Sequence, residues 1–298
     1  MKTYEFVTVD VFTDRRFGGN PLAVFPEAQG LSDAEMQSLA AEFNLSETTF
    51  VLPPDDPAHT ARVRIFNRTA EMPFAGHPNV GTGWVLAGRG QANGGMLRFE
   101  EIAGLVEVKV EDDGAVTIAA PQPLSLGPEM PVDLLADCVG LAPGEVVVAA
   151  HRPVMASVGN SFIVAEVKAE ALARAVPDIS RFRHAVTQYA PPGMGPNRLP
   201  LYLYARDGRN GDRTRLRARM FSPLSGTIED AATGSAATPL AALLLSLTGD
   251  ATGRYDIVQG VEMGRPSLLR AAAHRAADGI RATVGGGCVP VLRGEVSL

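Results

Sequence analysis

Two stretches of this chain are apolar on every face of a helix, and they constrain the fold more than any other feature. "HPNVGTGWVLAG" (His77–Gly88) and "TGSAATPLAALLLSLTG" (Thr233–Gly249) have almost no charged residue. A surface helix keeps a polar back; one that is apolar all round is enclosed by protein. Each stretch opens at a small-residue turn, "PFAGHP" or "DAATGSAA", and closes at a glycine placed to cap it, Gly88 or Gly249. Pro239 lies beyond the positions where a missing N–H costs nothing. The second helix therefore either begins after Gly234 or has a distorted first turn.

The enclosing material is read from the rest of the chain, which alternates as short strands. The clearest are Arg62–Phe66, Leu105–Val110, Ala115–Ala120, Leu201–Tyr204, Arg215–Phe221 and Gly279–Val284. One further helix, Ser32–Phe43, starts with Ser32 as N-cap and Glu35 three residues on, a capping box. Its Met36, Leu39, Ala40 and Phe43 form one stripe, so it lies on a surface and covers a core. The plan repeats: strands wrapped around one buried helix, twice. The expected class is α+β, with two pseudo-symmetric lobes, each a strand barrel around a central helix. A chain of 298 residues can fill both cores. The proline-rich seam Ala120–Pro131 separates residues 1–122 from 123–287, and the terminal strand 288–298 can rejoin the first lobe. Pro191–Pro200 reads as a loop within one lobe, and "GGGC" (Gly285–Cys288) as a turn.

Composition narrows the function. The chain is 46% hydrophobic and 20% charged, with a net charge of −6, which suits a soluble protein and gives no hint of a nucleic-acid partner. Arg213, Arg215, Arg217 and Arg219 alternate with small or apolar residues, as in a strand with a basic outer face. The apolar run Leu240–Leu247 is far too short to span a membrane. The alternating N-terminus lacks a signal peptide's apolar core. Cys138 and Cys288 stand alone, without metal or disulfide-framework spacing, so a reducing cytoplasm is expected and the N-x-[ST] triplets at Asn44 and Asn67 are incidental. His59, His151, His184 and His274 are scattered, and no metal site is expected. Dinucleotide and P-loop glycine patterns are absent.

The chemistry should sit at the two helix mouths. The N-terminus of a buried helix offers unpaired N–H groups and partial positive charge to an anionic small molecule. Glycines there, Gly76 and Gly234, allow close approach, although turn geometry alone could require them. His77 stands at one mouth; Asp230 and Ser235 flank the other. Each has a plainer role open to it: His77 or Ser235 as a cap, and Asp230 or its neighbour Glu229 as partner of the arginine strand. Glu47, where the capped helix hands over to a strand, shares a face with Thr49 and Val51. On such a semi-apolar face desolvation raises a carboxyl pKa toward values useful for acid–base work, unless Glu47 merely pairs with an arginine.

Taken together, "GNPLAVF", "NLSETTFVL", "RIFN…EMPFAGHPNVGTG", "RMFSP…EDAATGSAATPLA" and "QGVEMGRPS" resemble the PhzF family of phenazine-biosynthesis isomerase-like proteins. The resemblance implies a diaminopimelate-epimerase-like fold of two similar lobes, and a homodimer. In that family's isomerase the glutamate of the "LSET" motif shuttles a proton along a dihydro-hydroxyanthranilate ring without a cofactor. The histidine of "AGHP" and the aspartate and serine of "EDAATGSAA" hold the substrate. Those positions here are Glu47, His77, Asp230 and Ser235, assisted by the amides near Gly76 and Gly234. The related cysteine epimerases carry a thiol at each mouth; Ala75 and Ala231 stand there instead, so a two-thiol mechanism is excluded. "NRTAEMP" (Asn67–Pro73) lacks the family's frequent Thr-Pro, and Trp84 is large for its position, which leaves the substrate open. The implied function is a cofactor-independent isomerase acting on a small carboxylate. An epimerase using Glu47 and Asp230 as two bases, and a non-catalytic binding protein, are the alternatives.

Overall fold

The computed structural model describes residues 2–195 and 198–298, so Pro196 and Asn197 of the Pro191–Pro200 stretch lie outside the described residues; the others there are irregular. The chain forms two compact units, Met1–Ala119 with Val284–Leu298, and Ala120–Thr283. The first begins with β1 (Thr3–Val11), β2 (Asn20–Phe25), α1 (Asp33–Phe43), β3 (Glu47–Leu52), β4 (Ala61–Phe66) and β5 (Glu71–Met72). It continues through α2 (Gly76–Gly88), β6 (Met96–Glu101), β7 (Gly104–Val110) and β8 (Val116–Ala119). The second holds β9 (Ser125–Glu129), α3 (Val132–Cys138), β10 (Val146–Val147), β11 (Val154–Ser157), β12 (Ser161–Val167), α4 (Ala169–Arg174) and α5 (Ile179–Gln188). Then follow β13 (Leu201–Asn210), β14 (Arg213–Ser222), β15 (Thr227–Asp230), α6 (Gly234–Ser246), β16 (Thr252–Gln259), β17 (Ser267–Ala276) and β18 (Gly279–Gly286). The terminal β19 (Cys288–Ser297) pairs antiparallel with β1.

The pairing order repeats. In the first unit β1–β2 is antiparallel, β2–β3 parallel, β3–β4 antiparallel and β4–β6 parallel, with the short β5 on β4 just before α2. In the second, β11–β12, β12–β13, β13–β14 and β14–β16 follow the same sequence of senses, with β15 on β14 just before α6. The class is α+β, with strands wrapped around one central helix in each unit.

Both central helices are buried as their composition demands. From α6, Leu240, Leu243, Leu244 and Leu245 are at most 5% exposed, each contributing about 2 kcal/mol of transfer free energy. On α2, a Cβ at Gly81 would meet Leu22 Cδ2 at 2.6 Å, and one at Gly83 would meet Val108 Cγ1 at 2.6 Å. The glycines let the strands close on the helix. Helix α1 has the expected capping box, with Met36, Leu39 and Ala40 buried. They pack against a ring cluster in which Phe25 stacks on Phe50 at 5.0 Å and Phe43 meets Phe6 edge-on at 4.8 Å.

Several expectations are corrected. Helix α6 does begin at Gly234, with Pro239 inside it; the proline ring leaves the Ser235 carbonyl without its intrahelical donor. Gly88 is the last helical residue of α2, and the left-handed position after it is Gly90 (φ 76°). Gly249 does not have a positive φ. "GGGC" is no turn: Gly285 and Gly286 end β18, and a Cβ at Gly285 would lie 2.6 Å from the Val116 carbonyl. Helices α3, α4 and α5 were not anticipated; Phe182 and Leu135 from them are fully buried in a second core. The arginine strand is not a free basic face, because Arg213, Arg215, Arg217 and Arg219 pair with Asp256, Asp207, Glu262 and Glu229 respectively. No helix among the described residues is long and apolar enough to cross a membrane.

Candidate active site

At the first helix mouth, α1 ends at Asn44 in the left-handed conformation (φ 53°) and the chain turns into β3, whose first residue is Glu47. Strand alternation sends Glu47 and Thr49 to one face, and both reach α2. Thr49 Oγ1 lies 2.8 Å from Thr82 Oγ1, and Glu47 Oε2 lies 3.4 Å from His77 Nε2. The His77 side chain is 6% exposed and that of Glu47 16%. Burial pushes His77 down to about 3, with the Pro21 carbonyl opposing only in part. The ring is therefore neutral at ordinary pH, and its contact with Glu47 is not an ion pair.

The other ring nitrogen, Nδ1, lies 3.5 Å from Asn20 Nδ2, and Asn20 Oδ1 accepts a hydrogen bond from Ser46 Oγ (3.1 Å). His77 Nε2 is buried yet closes no hydrogen bond within the described residues. An unsatisfied buried polar atom costs about 1–3 kcal/mol, and a ligand that pairs with it recovers that energy. The α2 N-cap is Ala75, which has no capping side chain. The first-turn N–H groups thus keep their positive end for an incoming anion. His77 is inside the helix and is not its cap.

At the second mouth the adjacent acids separate in role. Glu229 is held by Arg219 through two bonds of 2.8 Å, while Arg219 also donates to the carbonyls of Leu172 (3.0 Å) and Ala175 (2.8 Å). Asp230 instead accepts from Thr233 Oγ1 (2.6 Å). Gln259, fully buried, donates to the Asp230 carbonyl (2.8 Å) and to Thr233 Oγ1 (3.0 Å). Its Oε1 accepts from the Thr233 amide (3.2 Å) and from Tyr202 (3.1 Å). The N-cap of α6 is Thr233, without a side-chain cap bond, and Ser235 is the second, half-buried helical residue. Ser235 is therefore not the cap.

The structure brings Glu47 and His77 together next to Gly76; Asp230 accepts from Thr233, and Ser235 follows Gly234 in the first turn of α6. Asn20, Ser46, Thr233 and Gln259 escaped the sequence reading, whereas Arg219 belongs to the arginine strand expected to pair with Glu229 or Asp230, and it pairs with Glu229. Asn20 and Gln259 lie within quoted motifs, but nothing local marks a buried amide as the brace of a residue far along the chain. Both cysteines are buried, and burial pushes each thiol up to about 12, so neither is a nucleophile or acid at neutral pH. Ala75 is the N-cap of α2, and Ala231 is buried two residues before Thr233, the N-cap of α6. Among the described residues no group of three or more His, Cys, Asp or Glu side chains is placed to hold a metal ion. A cavity of about 640 Å³ lies at the far, C-terminal end of α6, lined by Leu244, Thr248, Arg206 and Arg254, away from these residues.

The model of the phenazine biosynthesis-like proteins (PhzC-PhzF) matches residues 9–294. An uncharacterized isomerase of Mesorhizobium japonicum is 38% identical, covering 91% of this chain and 90% of its own. The trans-2,3-dihydro-3-hydroxyanthranilate isomerase of Pseudomonas chlororaphis is 35% identical over 99% of this chain and 100% of its own. The crystal structure of a PhzF-family phenazine biosynthesis protein from Bacillus anthracis superposes over 100% of both chains with a TM-score of 0.87 at 24% identity, which fixes the fold. On this evidence the chain belongs to the family of phenazine biosynthesis-like proteins and is an isomerase.

Proposed function

We propose that this isomerase moves a proton by general acid–base catalysis on a small carboxylate substrate, trans-2,3-dihydro-3-hydroxyanthranilate or a relative, without a cofactor. The observation that carries the reading is the pair of Glu47 and neutral, buried His77 at 3.4 Å beside an uncapped helix mouth. Glu47 is the group that takes a proton from one carbon and returns it to another. His77, being neutral, contributes a hydrogen bond rather than a charge. The amides near Gly76 and Gly234 supply the positive end for the carboxylate, and Asp230 and Ser235 hold the substrate's other polar groups.

The test is single-turnover kinetics with that substrate on wild type and Glu47→Gln, which keeps shape but loses the transferable proton. Turnover should fall by roughly 10²–10⁴-fold, with binding nearly intact. A variant that turns over at the wild-type rate would make Glu47 structural. Product analysis in deuterated water separates the epimerase alternative: a shifted double bond supports isomerisation, whereas scrambled stereochemistry at a labelled α-carbon supports epimerisation. Unchanged turnover after chelation supports the absence of a metal requirement. The chain is further proposed to act as a cytoplasmic homodimer, and a monomer mass by light scattering at low micromolar concentration would reject the dimer.

A further inference from the structure

Glu101 ends β6 at its turn into β7, and Ala103 of that turn donates its N–H to the Pro73 carbonyl (3.0 Å). The turn therefore packs on the loop that leads into α2. Both Glu101 carboxyl oxygens are buried and close no hydrogen bond within the described residues, and the same holds for Asn79 Oδ1 in the first turn of α2. The Asn79 amide is the polar group that acts on the Glu101 carboxyl. One of its N–H groups is committed to the Ala75 carbonyl (3.1 Å).

The charged groups around Glu101 are accounted for. Asp55, Arg62, Arg64, Glu71 and Glu100 line a cavity of about 420 Å³ with it. Arg64 holds Glu71 and Asp33, and Arg62 faces Asp55 at 3.5 Å. Glu100 accepts from the amides of Asp55 and Asp56 and contacts His59 at 2.8 Å. These bonds pair each cation with an acid other than Glu101. What remains is three acceptor oxygens, two from Glu101 and one from Asn79, against a single Asn79 N–H. A carboxylate would leave those acceptors uncompensated in a buried place. A carboxylic acid supplies the missing donor.

We propose that Glu101 is a positioning residue: it carries a proton in the folded protein and closes a two-point acid–amide pair with Asn79, fixing the first turn of α2 two residues from His77. In that pair Glu101 donates to Asn79 Oδ1 and accepts the second Asn79 N–H. Burial supports it by pushing Glu101 up to about 8, against a smaller opposing pull from Asn79. When the proton leaves, the carboxylate keeps only the one Asn79 N–H and faces Asn79 Oδ1 as acceptor against acceptor, the adjoining cavity offers it hydration, and the turn carrying His77 loosens. The consequence for catalysis rests on the substrate-binding role proposed for His77; the titration itself does not.

The experiment is NMR on the full-length, substrate-free protein, following side-chain carboxyl carbons and the His77 ring nitrogens across pH 4–10. Glu101 is assigned by the signal lost in Glu101→Gln. Its carboxyl should titrate near pH 8, and the His77 ring signals should shift with the same midpoint in wild type and stay flat in the Glu101→Gln variant. If that variant does not fold, Asn79→Leu provides the assignment, because removing the amide paired with the carboxyl should displace the Glu101 midpoint and no other carboxyl's. A Glu101 carboxyl that titrates in the ordinary range near 4.5 overturns the proposal. So do His77 signals that ignore the Glu101 titration. Because no substrate is used, these outcomes are independent of whether the proposed reaction is correct.

Discussion

The two helix mouths are built on the same strand order yet are wired in opposite ways. The mouth of α6 is saturated: Gln259, Thr233, Tyr202 and the Asp230 backbone satisfy one another, and Arg219 locks Glu229 and two carbonyls of the α4 end. The mouth of α2 is under-satisfied: His77 Nε2, Asn79 Oδ1 and the Glu101 carboxyl are buried without hydrogen-bond partners among the described residues. Saturation confers rigidity, and buried vacancies store free energy that a ligand or a proton can release. One topology can therefore hold a braced site and a responsive one.

The sharpest way to break this contrast is to cut the brace at α6. Arg219→Met leaves Glu229 half-buried and without its arginine and frees two carbonyls, so urea unfolding should show a loss of about 3 kcal/mol. Glu47→Gln at the α2 mouth should cost turnover with little stability. Equal stability losses in the two variants would erase the distinction.

The next effect concerns pH. His77 has a folded pKa of about 3 against an ordinary 6.5, so the unfolded chain binds a proton that the folded one refuses. Its contribution is whole above pH 6.5 and is lost as pH falls toward 3, by up to about 5 kcal/mol at 1.36 kcal/mol per unit. His77→Gln should flatten this acid limb in denaturation measured across pH. Glu101 has the opposite sign. Its folded pKa of about 8 lies above the ordinary 4.5, so its contribution is whole below 4.5 and is lost as pH rises toward 8. An acid limb unchanged in His77→Gln would remove His77 as its source.

Smaller effects sharpen the picture. Ser235→Ala should weaken substrate binding by about 1 kcal/mol, one neutral hydrogen bond, with turnover at saturation preserved; a loss confined to turnover would move Ser235 into the chemistry. Smallest is Gly88→Ala at the distal end of α2, where a Cβ meets nothing within 4 Å. It should raise stability by about 0.5–1 kcal/mol. The same change at Gly81, where a Cβ would meet Leu22 and Val11 at 2.6 and 2.8 Å, should destabilise. Thermal unfolding of the two variants should move in opposite directions.

The sequence by itself determined the two buried helices, the α1 capping box and the alternating strands, because each is written in a local period or a spacing of three or four residues. It also named Glu47, His77, Asp230 and Ser235 as candidates, through motifs rather than through contacts. It did not anticipate α3 and α4, which are short and depend on tertiary burial, as of Leu135, nor α5, although Asp178 caps its first turn and Phe182 is buried from it. Nor could it separate Glu229 from Asp230, since the choice depends on where Arg219 arrives from β14. The neutrality of His77 and the vacancy at Glu101 are likewise tertiary facts. Charge state follows from desolvation by residues distant in sequence, and no local pattern of side chains encodes how much water is left.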